Sequence, residues 1–590
     1  MGINVLSAFI KRYPFWSILK RYRKRYLLGA AALVLVNLIN VSLPLVMKRA
    51  IDSIAAKRSE ELVWLALGYA LGILILAVGR YLWRVYLIGT SHLIAKDLRV
   101  SLYQRLQTLP LSEYSKIRTG DLMSRATNDI DAIRMALGPG VLVTADAILI
   151  FLMFLPVMFL LSWKLSLMAL AFFPFVPIIT TKVGQSIDKR FEQMQTRMSK
   201  MGAFTQEVLS AVRLIKTMTL EPVTYRRFQE MSDGYRQEGI SLAKSEAILN
   251  PAMSLLTYSG IFLILLMGGR EVIAGAITIG TFVAFQRFVV QLQWPMEAVG
   301  WAVTLNREGF AAHRRIQEIF DLPVVESVRI PEARAKYGSE LTFLPAEFKY
   351  PTGDFCLSLP DFKVEQGAKI GIVGPVGCGK TTFFNLLLRL YEPPLNSVFF
   401  RGQDIASIPL ERLRGLIASV EQEVFLFSDS LQENISMGLS SLIEQDNLES
   451  LAERAVILPE IASLSMGFQT RLGEKGVNLS GGQKQRIAMM RAMARAPSLY
   501  LLDDSFSAMD VEVEQKIIDQ FLSFAGDKTL MVASHRLSVM PRMDEIWLMD
   551  SGKFVARGSH GSLMHSNVWY RNLWRDVGAW GEKGIHEPNE

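Results

Sequence analysis

Cysteine is nearly missing from this chain of 590 residues, which has only Cys356 and Cys378. Two cysteines provide neither a disulfide framework nor a C-x-x-C metal site. A cleavable signal peptide is also not expected, because the first long apolar run starts near Leu27 and no A-x-A-like site follows it. The composition therefore excludes a secreted, disulfide-stabilised scaffold.

Charged residues are scarce as well: they make up 20% of the chain, against 50% hydrophobic residues. The mean hydropathy of +0.24 is high for a soluble enzyme. The apolar residues are concentrated in the first half, which indicates that part of the chain lies in lipid. The net charge is +8 and the isoelectric point is about 9.2. We attribute this excess of Lys and Arg to loops beside anionic lipid, so no nucleic-acid partner is expected.

Six apolar runs in the first half are each close to the ~20 residues that cross a bilayer as a helix. Lys and Arg are concentrated before the first run and in two long loops, 89–137 and 184–246. By the positive-inside rule, both termini are expected in the cytoplasm. The long loops have helical periodicity, so we expect them to extend the spanning helices. The predicted spans are about 27–47, 62–83, 138–161, 165–183, 247–268 and 277–300.

Residues 374–381, with the sequence GPVGCGKT, fit the pattern G-x-x-x-x-G-K-[ST] of a phosphate-binding loop. The loop follows an apolar, strand-like run at 369–373 and precedes residues 382–390, which read as a buried helix. Its glycines let backbone N–H groups approach phosphates, and the helix N-terminus adds its positive dipole end. Lys380 is expected to reach the β- and γ-phosphates, and the Thr381 hydroxyl to ligate Mg²⁺.

Two further motifs follow the loop. The sequence LSGGQ occupies residues 479–483, and an apolar run at 499–502 ends in Asp503 and Asp504. A strand that ends in a carboxylate suits a Mg²⁺ site beside a phosphate loop. With these three motifs in this order, the second half of the chain resembles the ATP-binding-cassette (ABC) ATPases.

Six spans with long cytoplasmic helices, followed by such an ATPase, resemble the half-transporters of multidrug-type ABC exporters. The resemblance implies a polytopic α-helical membrane domain of the type I exporter kind, followed by an α/β P-loop NTPase domain. In that family, short coupling helices contact the ATPase domains, and the candidates here are about 110–124 and 217–228. We predict an amphipathic N-terminal (elbow) helix at 1–24, a transmembrane domain at 25–307, a linker at 308–340, an ATP-binding domain at 341–578 and a disordered tail at 579–590.

The resemblance also implies roles for individual residues. Tyr350 would stack on adenine, and His535, after an apolar strand, would contact the γ-phosphate. Thr381, Gln422 and Asp503 would hold Mg²⁺. The residues expected to cradle the phosphates are Gly374, Pro375, Val376, Gly377, Cys378, Gly379, Lys380, Thr381 and Thr382.

Family ATPases dimerise head to tail, so the LSGGQ motif would contact ATP bound to the partner chain rather than to its own. The residues concerned are Ser480, Gly481, Gly482 and Gln483. The loop 507–510 matches the segment that pairs the two ATP sites, and Glu474 matches a cross-subunit contact.

Asp504 departs from the family pattern, in which a glutamate general base follows the metal-binding aspartate. Removing one methylene withdraws the carboxylate by more than about 1 Å from the attacking water, and such a misplacement can slow a reaction ~10²-fold. In this family, that substitution marks heterodimeric exporters with one weak and one competent ATP site. The sequence therefore predicts one half of a heterodimer, in which the intact LSGGQ completes the partner's competent site.

Two alternatives remain open from the sequence. The chain could be a homodimeric lipid flippase of the same fold, with Asp504 as a slow base, or an ATP-gated channel or sensor. The substrate is expected to be a hydrophobic or cationic small molecule moved across the cytoplasmic (inner) membrane. Asp146, inside the third span, either has a structural partner or contacts a cationic substrate. Arg80 and Arg84, at the end of the second span, are interpreted as snorkelling side chains.

Overall fold

A computed structural model describes residues 14–171, 175–323, 339–351, 353–473, 476 and 478–582. It divides into two compact units, which are described separately below. The first unit comprises Met1–Gln107 and Arg118–Leu322, and the second comprises Thr108–Ile117 and Pro323–Glu590. The first candidate coupling segment, 110–124, is thus split between the two units, with its beginning in the second.

The first unit is built from long helices, several of which continue through π-helical turns. The π turns are Arg84–Ile88, Arg125–Asp129, Ala136–Gly140 and Ile264–Gly268. The α-helices are Pro14–Arg21, Arg23–Ala55, Ser59–Trp83, Gly89–Gln107, Thr119–Ser124, Ile130–Met135, Val141–Leu161, Trp163–Leu170, Phe175–Ser210, Val212–Thr217, Glu221–Leu263, Gly269–Ile273 and Ile279–Asp321.

Three helices in the described part of the chain are long and apolar enough to cross a membrane: Arg23–Ala55, Ser59–Gln107 and Thr119–Leu161. They contain the first three predicted spans. The fourth predicted span, 165–183, includes residues 172–174, which lie outside the described residues. The fifth and sixth fall on helices that do not meet the same criterion over their described residues. The prediction that the long loops extend the spanning helices is confirmed.

Two of the predicted boundaries need correction, and a third lies partly outside the described residues. The helix Ile279–Asp321 runs through the start of the predicted linker, and residues 324–338 of that linker lie outside the described part. The last helix, Val568–Glu582, continues past the predicted domain end at 578, and the rest of the predicted tail is not described. The described part of the predicted N-terminal helix is Pro14–Arg21, and residues 1–13 lie outside the description.

Aromatic side chains form part of the core of the first unit. The rings of Phe154 and Phe288 meet edge to face with centroids 5.5 Å apart, and Phe285 and Leu292 are fully buried beside them. Small residues let helices approach closely elsewhere, because a Cβ on Gly79 would lie only 2.6 Å from the Val36 side chain. The helices are therefore held by close steric fit.

A carboxylate at the end of the first long helix caps the last long helix of the same unit. Asp52 Oδ1 accepts a hydrogen bond of 3.0 Å from the Gly280 backbone N–H, and Asp52 Oδ2 accepts one of 2.9 Å from the Thr278 hydroxyl. A negative group is favourable at a helix N-terminus, where N–H groups lack helical partners. Gly280 also lies against the Lys48 carbonyl oxygen, which leaves no room for a side chain.

The described part of the second unit is an α/β domain with three sheets. Its strands are β1 Leu341–Phe343, β2 Ala346–Lys349, β3 Cys356–Leu359, β4 Lys363–Val364, β5 Lys369–Val373, β6 Val398–Phe400, β7 Gln403–Asp404, β8 Ile417–Val420, β9 Leu499–Asp503, β10 Thr529–Ser534, β11 Glu545–Asp550 and β12 Lys553–Gly558. The main sheet has the strand order β12-β11-β5-β10-β9-β8, and all of these strands are parallel except β12. A four-stranded antiparallel sheet has the order β4-β1-β6-β7, and β2 pairs with β3.

Helices accompany these sheets. The first predicted helix after the phosphate loop ends at Leu387 rather than at 390, because Arg389 adopts a left-handed backbone with φ of 45°. The helices of the unit are Leu111–Tyr114, Lys380–Leu387, Leu410–Leu416, Leu431–Ile435, Gln445–Arg454, Leu458–Ala462, Gly481–Ala494, Val511–Ala525, His560–Ser566 and Val568–Glu582.

The main sheet is buried on both faces. Successive residues of a strand point to opposite faces, so Leu501 joins one hydrophobic cluster with Trp547 and Phe383, while Leu502 joins another with Phe521. Continuous apolar runs are typical of parallel strands covered on both sides. This explains why the strands at 369–373, 499–503 and 529–534 were recognisable from sequence.

We expect Gly280→Ala to destabilise the membrane unit, since its Cβ would lie 2.2 Å from the Lys48 carbonyl oxygen. Such overpacking typically costs about 1–3 kcal/mol. The measurement is the temperature at which half of the detergent-solubilised protein leaves its monodisperse size-exclusion peak, and this should fall by several degrees. Gly68→Ala is the control, because nothing lies within 4 Å of its added Cβ. Equal midpoints for the two variants would contradict the described packing.

Candidate functional site

Four parallel strands bring their carboxyl ends to one edge of the main sheet. β10 lies between β5 and β9, with Ser534 opposite Val373 and Ala533 opposite Asp503. β8 lies on the far side of β9, with Val420 opposite Leu502. The segments that follow these four strands are therefore neighbours, and this edge is where ligands bind in open α/β sheets.

The phosphate loop follows β5. Gly377 and Gly379 have φ of 82° and 111°, values that side chains other than glycine rarely adopt. Gly374 lacks space for a Cβ, which would lie 2.2 Å from the Met549 carbonyl oxygen on the neighbouring β11. These constraints fix the loop against the sheet and explain the glycines of the motif.

Lys380 opens the helix after the loop and folds back over it. Its Nζ donates to the carbonyl oxygens of Gly374 and Pro375, at 2.7 and 3.0 Å, and lies 3.7 Å from the Cys378 sulfur. Cys378 itself is buried, with 3% of its surface exposed. The ammonium group is thus positioned at the mouth of the loop, where it can meet phosphate oxygens.

Asp503 ends β9 and hydrogen-bonds with the Thr381 hydroxyl on the adjacent helix. Burial raises the pKa of the Asp503 carboxyl, and the negative charges of Asp504 and Glu421 act in the same direction; the Thr381 hydrogen bond and the Lys380 charge partly oppose them. A buried carboxylate with a raised pKa gains from a nearby cation. The Asp503–Thr381 pair therefore presents oxygen atoms to a hard metal ion such as Mg²⁺.

Asp504 adopts a left-handed backbone with φ of 46°, and its N–H donates to the Ala533 carbonyl oxygen at 2.8 Å. Its Oδ1 lies 2.7 Å from His535 Nδ1, which follows β10. The two atoms are within ion-pair distance for a protonated imidazole, but the approach is not a well-directed hydrogen bond, so Oδ1 is buried without a donor. The carboxylate is 10% exposed, whereas the His535 side chain is 46% exposed.

An aromatic wall completes one side of the site. The Tyr350 hydroxyl donates to Thr382 Oγ1 at 2.9 Å, which fixes the ring beside the helix that follows the loop. Phe355 lies 6.4 Å from the Tyr350 ring and directly against Gly379, and Tyr391 meets Tyr350 edge to face at 4.9 Å. Flat aromatic faces are suitable partners for a nucleobase.

One cavity of about 210 Å³ collects these groups. It does not include Gly374, Pro375 or Cys378, which hold the loop from behind. The oxygen atoms of its side chains are suitable ligands for Mg²⁺. The described residues contain no cluster of three His, Cys, Asp or Glu side chains, so phosphate oxygens would have to complete the coordination of a metal ion here. The lining residues are Tyr350, Phe355, Val376, Gly377, Gly379, Lys380, Thr381, Thr382, Gln422, Asp503, Asp504 and His535.

The LSGGQ motif is not part of this cavity. Ser480 caps the helix Gly481–Ala494 through a reciprocal capping box: its Oγ accepts from the Gln483 N–H at 3.3 Å, and Gln483 Oε1 accepts from the Ser480 N–H at 3.0 Å. Ser480 and Gly481 are exposed. A Cβ on Gly482 would lie 2.8 Å from the Ala508 carbonyl oxygen. The motif therefore presents a helix N-terminus to solvent.

Sequence reasoning missed several residues that hold this region together. Gln485 hydrogen-bonds to the Ser507 hydroxyl and the Ala508 N–H, so the signature helix carries the loop 507–510. Arg536, next to His535, donates to the Ser507 and Met509 carbonyl oxygens and pairs at 3.0 Å with Glu514, which is fully buried. No local motif signals such cross-element contacts. Phe355 had a weak signal, as an aromatic residue close to Tyr350.

Glu474, for which the family resemblance implies a cross-subunit contact, lies outside the described residues.

Comparisons with known proteins bear on the whole chain. The family model of the ABC transporter transmembrane region matches residues 26–296, and the ABC transporter model matches residues 357–507. The solved structure titled "Structure of a bacterial Atm1-family ABC exporter with ATP bound" covers 97% of this chain and 100% of its own, with a TM-score of 0.76. At 24% sequence identity, this likeness shows the fold.

Curated relatives match over nearly their full length. The probable multidrug resistance ABC transporter ATP-binding/permease protein YheI of Bacillus subtilis is 34% identical, over 94% of this chain and 95% of its own length. The multidrug resistance-like ATP-binding protein MdlA of Escherichia coli is 32% identical over the same shares. An ATP-dependent lipid A-core flippase of Photobacterium profundum is 29% identical, over 86% of this chain and 87% of its own.

These matches confirm the predicted fold class and the order of its two parts. Membrane-spanning helices and a phosphate-binding sheet edge in one chain agree with the two family models. The chain belongs to the ABC transporter family: it is an integral membrane protein with the type I exporter fold, whose transmembrane region is fused to an ATP-hydrolysing domain.

Proposed function

We propose that this chain is one half of a heterodimeric exporter that moves amphipathic or hydrophobic small molecules across the cytoplasmic membrane, and that its own phosphate loop belongs to the weaker of two ATP sites. ATP-driven export follows from the family. The heterodimer and the weak site are the further steps, and the conformation of Asp504 is the observation that carries them.

The residues around the sheet edge would each bind a different part of ATP. Tyr350 and Phe355 offer ring faces to adenine, and the loop N–H groups and Lys380 bind the phosphates. Thr381 and Asp503 would hold Mg²⁺, with Gln422 on the same cavity wall. The ion would supply positive charge beside the phosphates. His535 is exposed enough to reach a γ-phosphate oxygen.

Asp504 is poorly placed to act as the general base. Its left-handed backbone and its N–H bond to Ala533 fix the position of Cα, so the backbone cannot advance to replace the missing methylene. One carboxylate oxygen is also buried, 2.7 Å from His535 Nδ1, which limits its access to a water molecule. Since a base must lie within hydrogen-bond reach of the water that it activates, this site is expected to bind ATP and hydrolyse it slowly.

The exposed signature motif supports the second half of the proposal. Ser480 and the following helix N-terminus are exposed, and their geometry suits an anion. In a head-to-tail dimer this surface covers the phosphates held by the partner's loop. A chain with a weakened base and an intact signature thus contributes to hydrolysis at the other site.

The membrane and the substrate also belong to this proposal. We place both termini on the cytoplasmic side of the inner membrane, because Lys and Arg are concentrated before the first span and in the long loops. The expectation of cationic substrates depended on Asp146. In the structure, Asp146 accepts a 2.8 Å hydrogen bond from Asn37 and shares a cavity with Arg80 and Arg84, surroundings that do not support it.

A homodimeric flippase is the second candidate, because one relative is named a lipid A-core flippase. In that case two copies of this chain would build two equal sites, and Asp504 would have to serve as the base in both. An ATP-gated channel or sensor would show no steady ATPase activity that increases with hydrophobic substrates.

The base is tested by substitution of Asp504 in the complex purified through a tag on this chain. If this site hydrolyses little ATP, Asp504→Ala should change steady-state ATPase activity by less than about twofold, because the loss of a working base costs far more. Asp504→Glu restores the missing reach and should raise the activity. Loss of most activity in Asp504→Ala would make Asp504 a working base and remove the argument for a heterodimer.

The signature is tested by Gly482→Ala, whose Cβ would press on the Ala508 carbonyl oxygen at 2.8 Å and displace the helix N-terminus. Because this motif would contribute to the competent site, we expect ATPase activity to fall at least about 10²-fold, the scale for loss of a preorganised hydrogen-bond donor. Gly415→Ala, in the helix Leu410–Leu416, is the matched control because its Cβ meets nothing within 4 Å. Equal activities in the two variants would argue against a role for this surface in hydrolysis.

A further inference from the structure

A cavity of about 420 Å³ opens among the membrane-spanning helices of the first unit. Much of its wall is apolar and aromatic, with Leu33, Leu142, Ile150, Phe154 and Trp294 among the lining residues. A cavity of this size and character fits the hydrophobic body of an amphipathic molecule. The polar groups on its wall decide which head group the molecule carries.

The charges on the wall do not balance. Arg80 and Arg84 contribute two positive charges and Asp146 one negative charge, which leaves an excess of one positive charge. Among the described residues, neither arginine has a carboxylate oxygen within ion-pair distance, although the Arg80 charge attracts Asp146 from further away. The Arg84 guanidinium lies over the Trp83 ring at 5.4 Å. Charges among membrane helices are costly unless they are paired, so a missing negative partner is indicated.

The Asp146 carboxylate is less free to bind a ligand than the two arginines are, because it already has a hydrogen-bond partner. Its Oδ1 accepts the Asn37 amide, and Asn37 is fully buried between the Leu33 carbonyl oxygen and Asp146. The carboxylate is therefore held to its own wall by a side chain from another helix. Its single negative charge compensates only part of the positive charge of the two guanidinium groups.

Hydrogen-bond donors that lack an acceptor also indicate that a negatively charged group is missing from the cavity. Trp83 Nε1 is buried, lines this cavity through its side chain, and has no partner. The indole N–H and the two guanidinium groups are donors only. Gln291 Oε1, also buried and without a partner, is an acceptor on the same wall and can receive a ligand hydroxyl. The wall thus offers a surplus of donors to an oxygen-rich, acidic group.

We propose that this cavity is a binding site for acidic amphipaths, with a phosphate or carboxylate head group held by Arg80 and Arg84 and an apolar tail against the surrounding helices. Planar guanidinium groups match such oxygens in bidentate fashion. The inference rests on the proposed transport function, for which it names the substrate class. Asp146 then disfavours the most highly charged heads and favours those that also carry a hydroxyl or other donor.

The test measures binding of radiolabelled dodecyl phosphate to the purified complex in phosphatidylcholine nanodiscs, without ATP, after subtraction of uptake by empty nanodiscs. Arg80→Gln and Arg84→Gln should each raise the half-saturating concentration about tenfold, whereas Asp146→Asn should lower it. Arg49→Gln is the matched control, since Arg49 is an exposed arginine on the first long helix that does not line the cavity. Dodecyltrimethylammonium of the same chain length should bind more weakly than dodecyl phosphate.

A competition measurement distinguishes two kinds of acidic ligand, a lipid of the bilayer and a dispersed amphipath. Competition by phosphatidylglycerol in the nanodisc assigns the site to bilayer lipid, and its absence assigns it to a dispersed amphipath. Preference for dodecyltrimethylammonium, equal affinities in Arg80→Gln and Arg49→Gln, or weaker binding in Asp146→Asn would overturn the proposal. Because no ATP is used, a failed heterodimer or an inactive ATPase leaves this result unaffected, and failure of the site leaves the ATPase tests unaffected.

Discussion

Pairing of β10 between β5 and β9 determines where the phosphate loop and the acidic groups of the candidate ATP site lie. These strands are parallel and in register, so the phosphate loop, Asp503, Asp504 and His535 all leave the sheet at one edge. β8 adds Gln422 from the far side of β9. The strands are buried on both faces, which makes a shift of register costly, because it would exchange two packed surfaces. The stability of the domain and the geometry of its site therefore have the same origin.

The same pairing restricts what Asp504 can do. The backbone leaves β9 by bonding back to Ala533 of β10 and turning left-handed, and the carboxylate then meets His535 from β10. A side chain one methylene longer would extend from the same fixed Cα toward the phosphates. If this site is the weak one, as proposed, its slower hydrolysis comes from the shorter reach of the carboxylate from this fixed edge. Arg536, Glu514 and Gln485 connect the same edge to the signature helix. In the proposed dimer, these contacts would couple the two nucleotide sites.

Much of this arrangement could be predicted from the sequence, because local patterns encode it. The spacing of the glycines and Lys380 gives the loop, and apolar runs give β5, β9 and β10 with little error in their ends. Contacts between distant segments leave no such pattern: Asn37 and Asp146 lie on different helices, and nothing near Asp146 indicates its partner. The helix after the loop was predicted too long, because its end depends on the backbone of Arg389 rather than on periodicity. The linker boundary failed for the related reason that a long helix carries polar residues once it leaves the apolar region.

The most direct test of a weak site within a heterodimer is native mass spectrometry of the complex purified through a tag on this chain and quenched during steady turnover. The account predicts a particle that contains one copy of this chain and one different, related chain. It also predicts that ATP is retained at the site of Lys380 and Thr381, identified by photo-crosslinking of an azido-ATP to this chain, while ADP accumulates on the partner. Two copies of this chain with ADP in both sites would contradict the account.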